Sequence, residues 1–334
     1  MIITETPFRM SFFGGGTDYP DFYREYGGSV ISTTFDKYCT VSVSHLPPFF
    51  DYTCLITYSR VERAKTVDDV EHPAVRNAMK YLDMRDIRLD YQADLPARSG
   101  LGTSSSFAVG MLLAFYALKG KYVDKRQLAL DAIHVERVMC QESGGVQDQI
   151  AASFGGLNRI DFSADGFTVN PLVVSSKRKR LLNSNLMLFF TGFSRFSGAI
   201  ASSQEKAIHN KIADLKEMLK LVDEAQRILT TDCDLGDFGR LLHEHWKLKH
   251  GLTAEISTGT IDELYARAMK AGALGGKLLG AGGGGFLLFY VEPEKQPAVR
   301  KALSELMLVP FEFEDRGTRI MYYRSEEYVK EEDK

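Results

Sequence analysis

The sequence predicts a fold in which helices cover an open β-sheet, because segments of strand and helix periodicity alternate along the chain. Residues 29–45 and 87–95 are rich in β-branched residues and alternate roughly with period two, which is typical of strands. Apolar residues recur with helical spacing over residues 73–84, 104–118 and 126–140. The second half adds two helices and two strands, at residues 261–271, 296–306, 286–291 and 319–323. Helices packed on a sheet bury the apolar faces of both.

The predicted helices carry their own start and spacing signals. Pro73 would lie in the first turn of its helix, where a missing N–H costs no intrahelical hydrogen bond. Leu128, Ala132, Val135 and Met139 recur at i, i+4, i+7 and i+11 and form one apolar stripe. The first half of the chain is therefore a mixture of sheet and helix.

A polar segment at residues 175–185 is the predicted domain boundary, because an apolar strand candidate follows it. We expect one domain over residues 1–182 and a second over residues 183–330. Apolar residues spaced mostly four and three apart between positions 208 and 229 predict a long helix. The stripe lacks a sustained pattern of opposite charges beside it, which favours a helix packed on its own sheet over a coiled coil.

Composition excludes several classes of protein. With 334 residues, 44% hydrophobic and 25% charged, the chain differs from disordered and collagenous sequences. A net charge of −3, without a long run of one sign, lacks the positive field that nonspecific nucleic-acid binding needs, and favours a small polar or anionic ligand. The 4 cysteines have no spacing typical of a metal site and are expected to be reduced core thiols.

We expect a cytoplasmic protein without a membrane partner. The first residues hold no basic segment ahead of an apolar one, unlike a secretory signal. Apolar runs such as residues 181–190 are interrupted by Asn183 and Asn185, and they are shorter than the ~20 residues that a bilayer crossing requires.

Three glycine-rich turns, at residues 14–16, 100–102 and 280–285, are the strongest functional signal. A tight loop of glycine and hydroxyl residues lets backbone N–H groups converge on an anion, because no Cβ blocks the approach and positive φ angles are accessible. Phosphate is the expected anion.

The middle turn, in the segment PARSGLGTSSS at residues 96–106, is the most specific of the three. It follows a predicted strand and leads into a predicted helix, so unpaired N–H groups and the positive end of the helix dipole would face the loop. It is not a Walker A loop, because no Lys follows the glycines. Alternatively, Thr103 and the serines could only cap the helix and the glycines could only form a turn. Three glycine clusters in one chain disfavour this alternative for the three clusters together, although not for each one.

The third turn, GAGGGG, also satisfies the GxGxxG pattern of dinucleotide-binding proteins. In those proteins the glycines lead from a strand into a helix, whereas here they lead into the strand candidate FLLFYV. The sequence therefore disfavours an NAD-dependent dehydrogenase.

Phosphoryl transfer from a nucleotide in the middle turn would need oxygen ligands for Mg²⁺ and a group that orients or deprotonates the acceptor. Asp148 follows two glycines in ESGGVQDQ, a turn that would aim it into a cleft, and Glu136 lies near the end of a predicted helix. From spacing alone, Glu136 is better interpreted as an ordinary surface carboxylate on a helix than as a metal ligand. For Asp148, a functional role and an ordinary surface position are equally favoured. His243, His245 and His250 lack the i, i+4 spacing of a helical zinc pair and are interpreted as solvated or capping residues.

These motifs resemble the GHMP kinases, a family named for galactokinase, homoserine kinase, mevalonate kinase and phosphomevalonate kinase. PARSGLGTSSS is similar to the family's second motif, PxxxGLGSSxx, with Thr103 in place of the first serine. KLLGAGGGGF at residues 277–286 is similar to the third motif, and PFRMSFFGGGTDYP at residues 7–20 resembles the first. The three motifs follow the family's order, and the resemblance covers nearly the whole chain.

Within that family the sequence most resembles the bacterial D-glycero-D-manno-heptose 7-phosphate kinases. Those enzymes carry RxSFxGGGTDxPxFYxxYGG, TGxSRxS and WxLKxxLxxxIS, which correspond to residues 9–28, 191–197 and 246–257 here. The resemblance implies an α+β fold, with an N-terminal ATP-binding domain like ribosomal protein S5 domain 2, a ferredoxin-like C-terminal domain and the site between them. It also implies ATP and Mg²⁺ as cofactors.

Such enzymes transfer the γ-phosphate of ATP to the anomeric hydroxyl of the sugar, giving a 1,7-bisphosphate for nucleotide-activated heptose and surface glycans. The resemblance therefore implies a phosphotransferase with an alcohol acceptor. The alternative is a sugar 1-kinase for an unphosphorylated sugar such as fucose or galactose. A nucleotide-binding regulator without turnover is disfavoured by the joint presence of Asp148, Arg9, Glu136 and Ser104. Whether the chain is a monomer or a homodimer stays open.

The resemblance assigns roles to individual residues. Asp148 matches the catalytic aspartate, and Arg9 matches a basic residue that would pair with it and stabilise the attacking oxygen. Ser104 and Glu136 match the magnesium ligands. The ATP-binding residues would be Pro96, Arg98, Gly100, Leu101, Gly102, Thr103, Ser104 and Ser105. The substrate-binding residues would be Gly15, Gly16, Thr17, Asp18, Gly282 and Gly283.

A sugar 7-phosphate also needs a cationic partner, because a dianion is costly to bury unpaired. Arg98, Arg195, Lys247 and Lys249 lie in or near the motif segments and are the candidates, and any of them could instead be a surface charge.

Overall fold

The computed structural model describes residues 1–97, 99–192 and 197–324. Within these ranges the strands are β1 (Ile2–Phe13), β2 (Gly28–His45), β3 (Cys54–Thr57), β4 (Val61–Ala64), β5 (Ile87–Ala93), β6 (Asn158–Ser163), β7 (Gly166–Pro171), β8 (Leu186–Phe190), β9 (Gly275–Leu278), β10 (Phe286–Tyr290), β11 (Met307–Val309), β12 (Phe313–Glu314) and β13 (Arg319–Tyr323). The α-helices are α1 (Pro20–Tyr26), α2 (Pro73–Tyr81), α3 (Thr103–Leu118), α4 (Lys125–Ile133), α5 (Gln147–Phe154), α6 (Ser176–Ser184), α7 (Ser197–Ala207), α8 (Ile212–Thr230), α9 (Gly236–His250), α10 (Gly259–Lys270) and α11 (Gln296–Ala302). A π-helical turn, His134–Met139, follows α4 directly. None of the helices in the described ranges combines the length and the apolar character that a bilayer crossing requires.

The larger sheet is built on two long antiparallel strands, β1 and β2. Its strands run in the order β13-β1-β2-β5-β3-β4, and β12 and β6 pair with further parts of β2, with β7 beside β6. Buried and partly exposed residues alternate at the start of β1, but every residue from Thr6 to Phe13 is buried. This end of the strand is covered on both faces because α3, α8 and α9 all contact it.

Helix α3 packs closely on β1 through small side chains. Thr4 Oγ1 donates to Gly110 O over 2.9 Å, and Ser106 Oγ donates to Pro7 O over 3.0 Å. A Cβ on Gly110 would lie 2.6 Å from Thr6 Oγ1, so the helix can approach this closely only with glycine there. The contact fixes the N-terminus of α3 beside the middle of β1.

The smaller sheet has the strand order β11-β8-β10-β9, and every neighbouring pair is antiparallel. Helix α9 contacts β9 and β10 of this sheet and β1 of the larger one. Its Phe238 meets the rings of Phe12 and Phe13 edge to face, with centroids 5.4 Å and 5.2 Å apart. The two sheets therefore share an apolar core through α9.

The structure contains the predicted mixture of strands and helices and differs from the prediction in places. The polar segment expected at a boundary forms α6, whose Arg178 donates to three carbonyl oxygens near the end of α8. The helix predicted over residues 126–140 is α4 continued by the π-helical turn, and the helix expected from residue 208 begins as a 3₁₀ turn, Ile208–Asn210. Hydrophobic periodicity locates these helices but does not register a change of helix type.

The predicted domain boundary after residue 182 falls inside α6. Strand β12 pairs with β2 and β13 pairs with β1, although both follow the smaller sheet along the chain. The end of the chain thus returns to the larger sheet. The division into residues 1–182 and 183–330 stays a prediction.

Gly275→Ala is expected to destabilise the fold, because β9 touches the backbone of α9. A Cβ at residue 275 would lie 1.9 Å from Gly239 O and 2.8 Å from His243 N, and backbone atoms cannot rotate away. Overpacking of this kind typically costs about 1–3 kcal/mol. Gly259→Ala is the matched control, because a Cβ there meets nothing within 4 Å. We expect a lower denaturation midpoint for Gly275→Ala only, and equal midpoints would contradict the close contact.

Candidate active site

A cavity of about 490 Å³ lies where the N-terminal ends of α3 and α5 meet α9 and the glycine turns. Most of the predicted site residues line it: Arg9, Gly15, Gly16, Asp18, Gly100, Gly102, Thr103, Ser104, Ser105, Glu136 and Asp148. Folding therefore brings together motifs that are separated by more than a hundred residues of sequence.

The centre of the cavity is a double hydrogen bond between Arg9 and Asp148. Arg9 Nε donates to Asp148 Oδ1 and Arg9 Nη2 donates to Oδ2, each over 2.7 Å. Arg9 lies on β1 and Asp148 lies in the first turn of α5, so the pair joins the sheet to that helix. Arg9 is 4% exposed, whereas the Asp148 side chain keeps 22% of its surface accessible. The carboxylate therefore remains reachable from the cavity, and the guanidinium is the more deeply buried of the two groups.

The middle glycine turn lies against this pair. Arg9 Nη1 donates to Gly100 O over 2.8 Å, and the backbone N–H of Arg9 donates to Leu101 O over 3.1 Å. Gly102 directly precedes α3 with a φ of +72°, and a Cβ there would lie 3.4 Å from Asp148 Oδ2. The first N–H groups of α3 thus face the cavity beside Asp148, as an anion site at a helix N-terminus requires.

The third glycine turn supports the middle one. A Cβ on Gly280 would lie 2.3 Å from Gly100 Cα, and a Cβ on Gly285 would lie 2.2 Å from Ser99 O. The two backbones are therefore in direct contact, which only glycine allows. Gly280 reaches the cavity, as does Ala281.

Several predicted residues lie away from the cavity. Gly282 and Gly283 instead pack on the backbone of Ile256, to which Gly283 N donates over 2.9 Å. Thr17 is buried, and its hydroxyl donates to Gly14 O over 2.8 Å, which closes the first glycine turn. Leu101 is buried, Pro96 is exposed, and neither lines the cavity.

Two of the cationic candidates, Arg98 and Arg195, lie outside the described residues. Lys247 lies on the surface and pairs with Glu244 over 2.9 Å. Of the two candidates that the structure describes, Lys249 lies in the cavity wall.

Glu136 forms a buried acceptor at the edge of the cavity. The π-helical turn carries it inward to 1% exposure, where its carboxylate accepts from Ser104 Oγ over 2.9 Å and from Ser105 Oγ over 2.8 Å. Gln149 Nε2 is a third donor. In the described part of the chain, no cation pairs with this carboxylate. A buried carboxyl group bound only by neutral donors offers the oxygen atoms that a Mg²⁺ ion prefers as ligands.

Asp18 also lines the cavity. Its Oδ1 accepts from Gly16 N over 2.9 Å, and its Oδ2 accepts from Gln147 Nε2 over 3.0 Å. Burial raises the pKa of Asp18, although the N–H donors of Gly16 and Gln147 act in the opposite direction. A Cβ on Gly145 would lie 1.9 Å from Asp18 Oδ2, so glycine there leaves room for the carboxylate.

Two buried lysines come from the C-terminal half. Lys249 Nζ donates to the carbonyl oxygens of Leu278 and Gly280, and Lys277 Nζ donates to Phe12 O over 2.7 Å. Burial lowers the pKa of Lys249 to about 8, and it lowers the pKa of Lys277 well below its ordinary value. Neither lysine forms an ion pair within the described residues, and burial opposes a positive charge on both side chains.

Lys277 was not predicted, although it opens the third motif, KLLGAGGGGF. The signal that could have identified it is a lysine among apolar residues that are expected to be buried. Lysine is almost never fully buried without a partner, so its position in such a segment suggests that it binds another group.

The three neighbouring histidines have separate structural partners. His245 is fully buried and its Nε2 accepts from Gly14 N over 2.9 Å. Burial keeps the pKa of His245 well below 6.5, so the ring is neutral and supports the first glycine turn. His243 contacts the Tyr265 hydroxyl and His250 contacts Asp262.

Comparison with known families decides the assignment. Residues 69–156 match the GHMP kinases N terminal domain, and residues 228–308 match the GHMP kinases C terminal domain. The chain belongs to the GHMP kinases. The α+β fold class and the enzyme class that the sequence predicts, a phosphotransferase with an alcohol acceptor, are thereby confirmed. GHMP kinases use ATP, which agrees with a phosphate site at the middle glycine turn.

Individual relatives of this GHMP kinase cover most of its length. It is 29% identical over 321 residues to the D-glycero-alpha-D-manno-heptose 7-phosphate kinase of Campylobacter jejuni, which is 91% of this chain and 93% of that protein. It is 24% identical to the bifunctional fucokinase/GDP-fucose pyrophosphorylase of Arabidopsis thaliana, across 90% of this chain and 31% of that protein. The crystal structure of a D-glycero-D-manno-heptose 1-phosphate kinase from Bacteroides thetaiotaomicron superposes with a TM-score of 0.79 at 25% identity, covering 97% of this chain and 100% of that one.

Proposed function

We propose that this GHMP sugar kinase transfers the γ-phosphate of ATP to the anomeric hydroxyl of D-glycero-D-manno-heptose 7-phosphate. The product would be the 1,7-bisphosphate, for nucleotide-activated heptose and surface polysaccharide synthesis. The observation that carries the proposal is the single cavity shared by the glycine turn, the Arg9–Asp148 pair and Asp18. The names of the Campylobacter and Bacteroides relatives support the sugar class. The use of ATP fits the cytoplasmic location that the sequence predicts.

The position of each residue in the cavity suggests its role in phosphoryl transfer. The triphosphate would lie against the N-terminus of α3, where Thr103 and Ser105 line the cavity and backbone N–H groups are free of intrahelical partners. The acceptor hydroxyl would donate a hydrogen bond to Asp148. Arg9, held in place by that carboxylate, would face the negative charge that develops on the attacking oxygen. Phosphoryl transfer through a loose transition state depends mainly on such positioning and charge stabilisation.

Ser104 and Glu136 are the proposed ligands of Mg²⁺. Both supply oxygen atoms, which this ion prefers, and Glu136 is buried without a cationic partner in the described ranges. Mg²⁺ bound there would neutralise charge on the phosphates during transfer. Ser104 would then exchange its hydrogen bond to Glu136 for a shared metal ligand role.

Lys249 is the proposed contact for the sugar's own phosphate. It lines the cavity, forms hydrogen bonds only to carbonyl oxygens within the described residues, and therefore leaves positive charge for an anion. A charged donor facing a phosphate forms a strong hydrogen bond in a buried site. The alternative is a kinase of an unphosphorylated sugar, which the similarity to the Arabidopsis fucokinase favours.

An acceptor panel decides between these two substrates. ADP release with Mg·ATP would be measured against heptose 7-phosphate, free heptose, mannose, fucose and galactose. The proposal expects the highest kcat/KM with heptose 7-phosphate. A higher value with a free sugar would overturn it in favour of the alternative.

Asp148→Asn is expected to lower kcat about 10²- to 10⁴-fold, the usual contribution of a group that accepts the proton of the acceptor. The KM for ATP should change little, because the glycine turn that holds the nucleotide is retained. Asp165→Asn, at an exposed turn, is the control. Turnover near the wild-type rate in Asp148→Asn would remove Asp148 from this role.

Ser104→Ala is expected to raise the Mg²⁺ concentration for half-maximal activity by about an order of magnitude, because one ligand is lost. The side chain is exposed to the cavity, so the fold should tolerate the change. Titration of activity with Mg²⁺ checks this, with Ser163→Ala as a surface control. An unchanged titration would count against Ser104 as a ligand.

Lys249→Met is expected to raise the KM for heptose 7-phosphate about 10- to 100-fold at pH 7, because a charged hydrogen bond is lost. In the wild type, Lys249 loses its proton as the pH rises through about 8, so kcat/KM for the sugar phosphate should fall above that pH. The charges of Arg9, Asp18 and Asp148 all act on this lysine.

The control for Lys249→Met is Lys247→Met, which removes an exposed lysine two residues away. The Lys249 variant should lose the alkaline fall in kcat/KM, and the Lys247 variant should keep it. An equal loss of kcat/KM on free heptose and on heptose 7-phosphate in Lys249→Met would contradict a contact with the sugar's phosphate.

A further inference from the structure

Two buried polar atoms in the cavity wall have no hydrogen-bond partner among the described residues. They are Ser11 Oγ and Gln147 Oε1. Ser11 is 6% exposed and Gln147 is 7% exposed, and both line the cavity. Buried polar atoms are nearly always paired, because an unpaired one loses its hydration without compensation. Two such atoms in one cavity indicate a ligand that pairs with them.

Gly15 lies beside both side chains. A Cβ there would lie 3.6 Å from Ser11 Oγ and 3.6 Å from Gln147 Nε2, so both side chains border the space next to this glycine. The φ angle of Gly15 is outside the left-handed region, and its backbone would therefore accept another residue. What glycine provides here is room beside the two side chains.

Asp18 sets the direction of the Gln147 amide. The carboxylate accepts from Gln147 Nε2 over 3.0 Å, so the remaining atom, Oε1, is left as a free acceptor. The Ser11 hydroxyl can accept and donate at once. The arrangement is thus suited to a hydroxyl group of a ligand, which does the same.

The position of this hydroxyl relative to the reacting one follows from the chain. Gln147 and Asp148 are consecutive in the first turn of α5, and both line the cavity. A group bound by Gln147 would therefore lie in the same cavity as an acceptor hydroxyl on Asp148. A vicinal diol matches the pair, with one hydroxyl on each residue.

We infer that Ser11 and Gln147 form a subsite for the hydroxyl next to the one that is phosphorylated, so that the enzyme selects a vicinal diol. This inference rests on the proposed function, because it takes a sugar as the acceptor. It adds Ser11 and Gln147 as specificity residues and assigns the absence of a side chain at Gly15 to the same purpose.

The test compares a sugar with its 2-deoxy analogue, using the sugar that gives the highest kcat/KM in the acceptor panel. The wild type should favour the parent sugar about 10- to 100-fold, the usual effect of one hydrogen bond to a buried partner. Ser11→Ala should lose about tenfold in kcat/KM on the parent sugar, lose little on the 2-deoxy analogue, and keep its KM for ATP.

Stability separates recognition from a structural role. Ser11→Ala removes an unpaired buried hydroxyl, so its melting temperature should match or exceed that of the wild type. Ser29→Ala is the matched control, because its hydroxyl is also buried and unpaired among the described residues but does not line the cavity. It should leave the preference for the parent sugar unchanged.

Gly15→Ala tests the open space independently. A methyl group at 3.6 Å from its neighbours is in ordinary contact, so the variant should fold with an unchanged melting temperature and lose about tenfold or more in kcat/KM on the sugar. Equal use of both sugars by the wild type, or equal losses on both in Ser11→Ala, would overturn the inference. A free sugar as the best acceptor would overturn only the proposed heptose 7-phosphate substrate, because the comparison then runs on that sugar.

Discussion

One arginine side chain holds the active-site elements together. The guanidinium of Arg9, on β1, donates two hydrogen bonds to Asp148 at the start of α5 and a third to Gly100 O in the phosphate turn. Its desolvation is costly, and buried ion pairs often contribute little net stability. The pair matters more for geometry than for stability. A planar guanidinium with donors in fixed directions restricts the orientation of the carboxylate that it binds. The distance between the phosphate turn and Asp148 is thereby fixed before any substrate binds, which is the kind of preorganisation that phosphoryl transfer needs.

Close backbone contacts join the two halves of the chain around that arginine. Gly100 touches Gly280, and Gly275 touches the backbone of α9, so the phosphate turn, the third glycine turn and α9 lie in a single packed unit. Helix α9 also carries Lys249 into the cavity and His245 against the first glycine turn. The neutral ring of His245 accepts from Gly14 N, which couples the turn that carries Asp18 to the C-terminal half. A substrate bound in the cavity would therefore contact residues from both halves.

The sequence predicts the elements better than it predicts the details of the site. Strand β2 and helix α3 follow from their periodicity, and the pairing of Arg9 with Asp148 was expected from motif resemblance. The π-helical turn that buries Glu136 leaves no pattern in apolar spacing, so Glu136 resembles a surface carboxylate until its three donors are seen. Thr17 is part of a motif but faces away from the cavity, because its hydroxyl closes the glycine turn. Motif membership does not tell a residue that contacts a ligand from one that shapes the loop.

The central claim is that Asp148, beside the phosphate turn, receives the acceptor hydroxyl. A crystal structure with Mg²⁺, a non-hydrolysable ATP analogue and heptose 7-phosphate tests it most directly. We predict the triphosphate at the N-terminus of α3 and the anomeric oxygen within about 2.6–3.2 Å of a carboxylate oxygen of Asp148. A nucleotide bound outside this cavity, or an anomeric oxygen that contacts another residue and lies away from Asp148, would contradict the account.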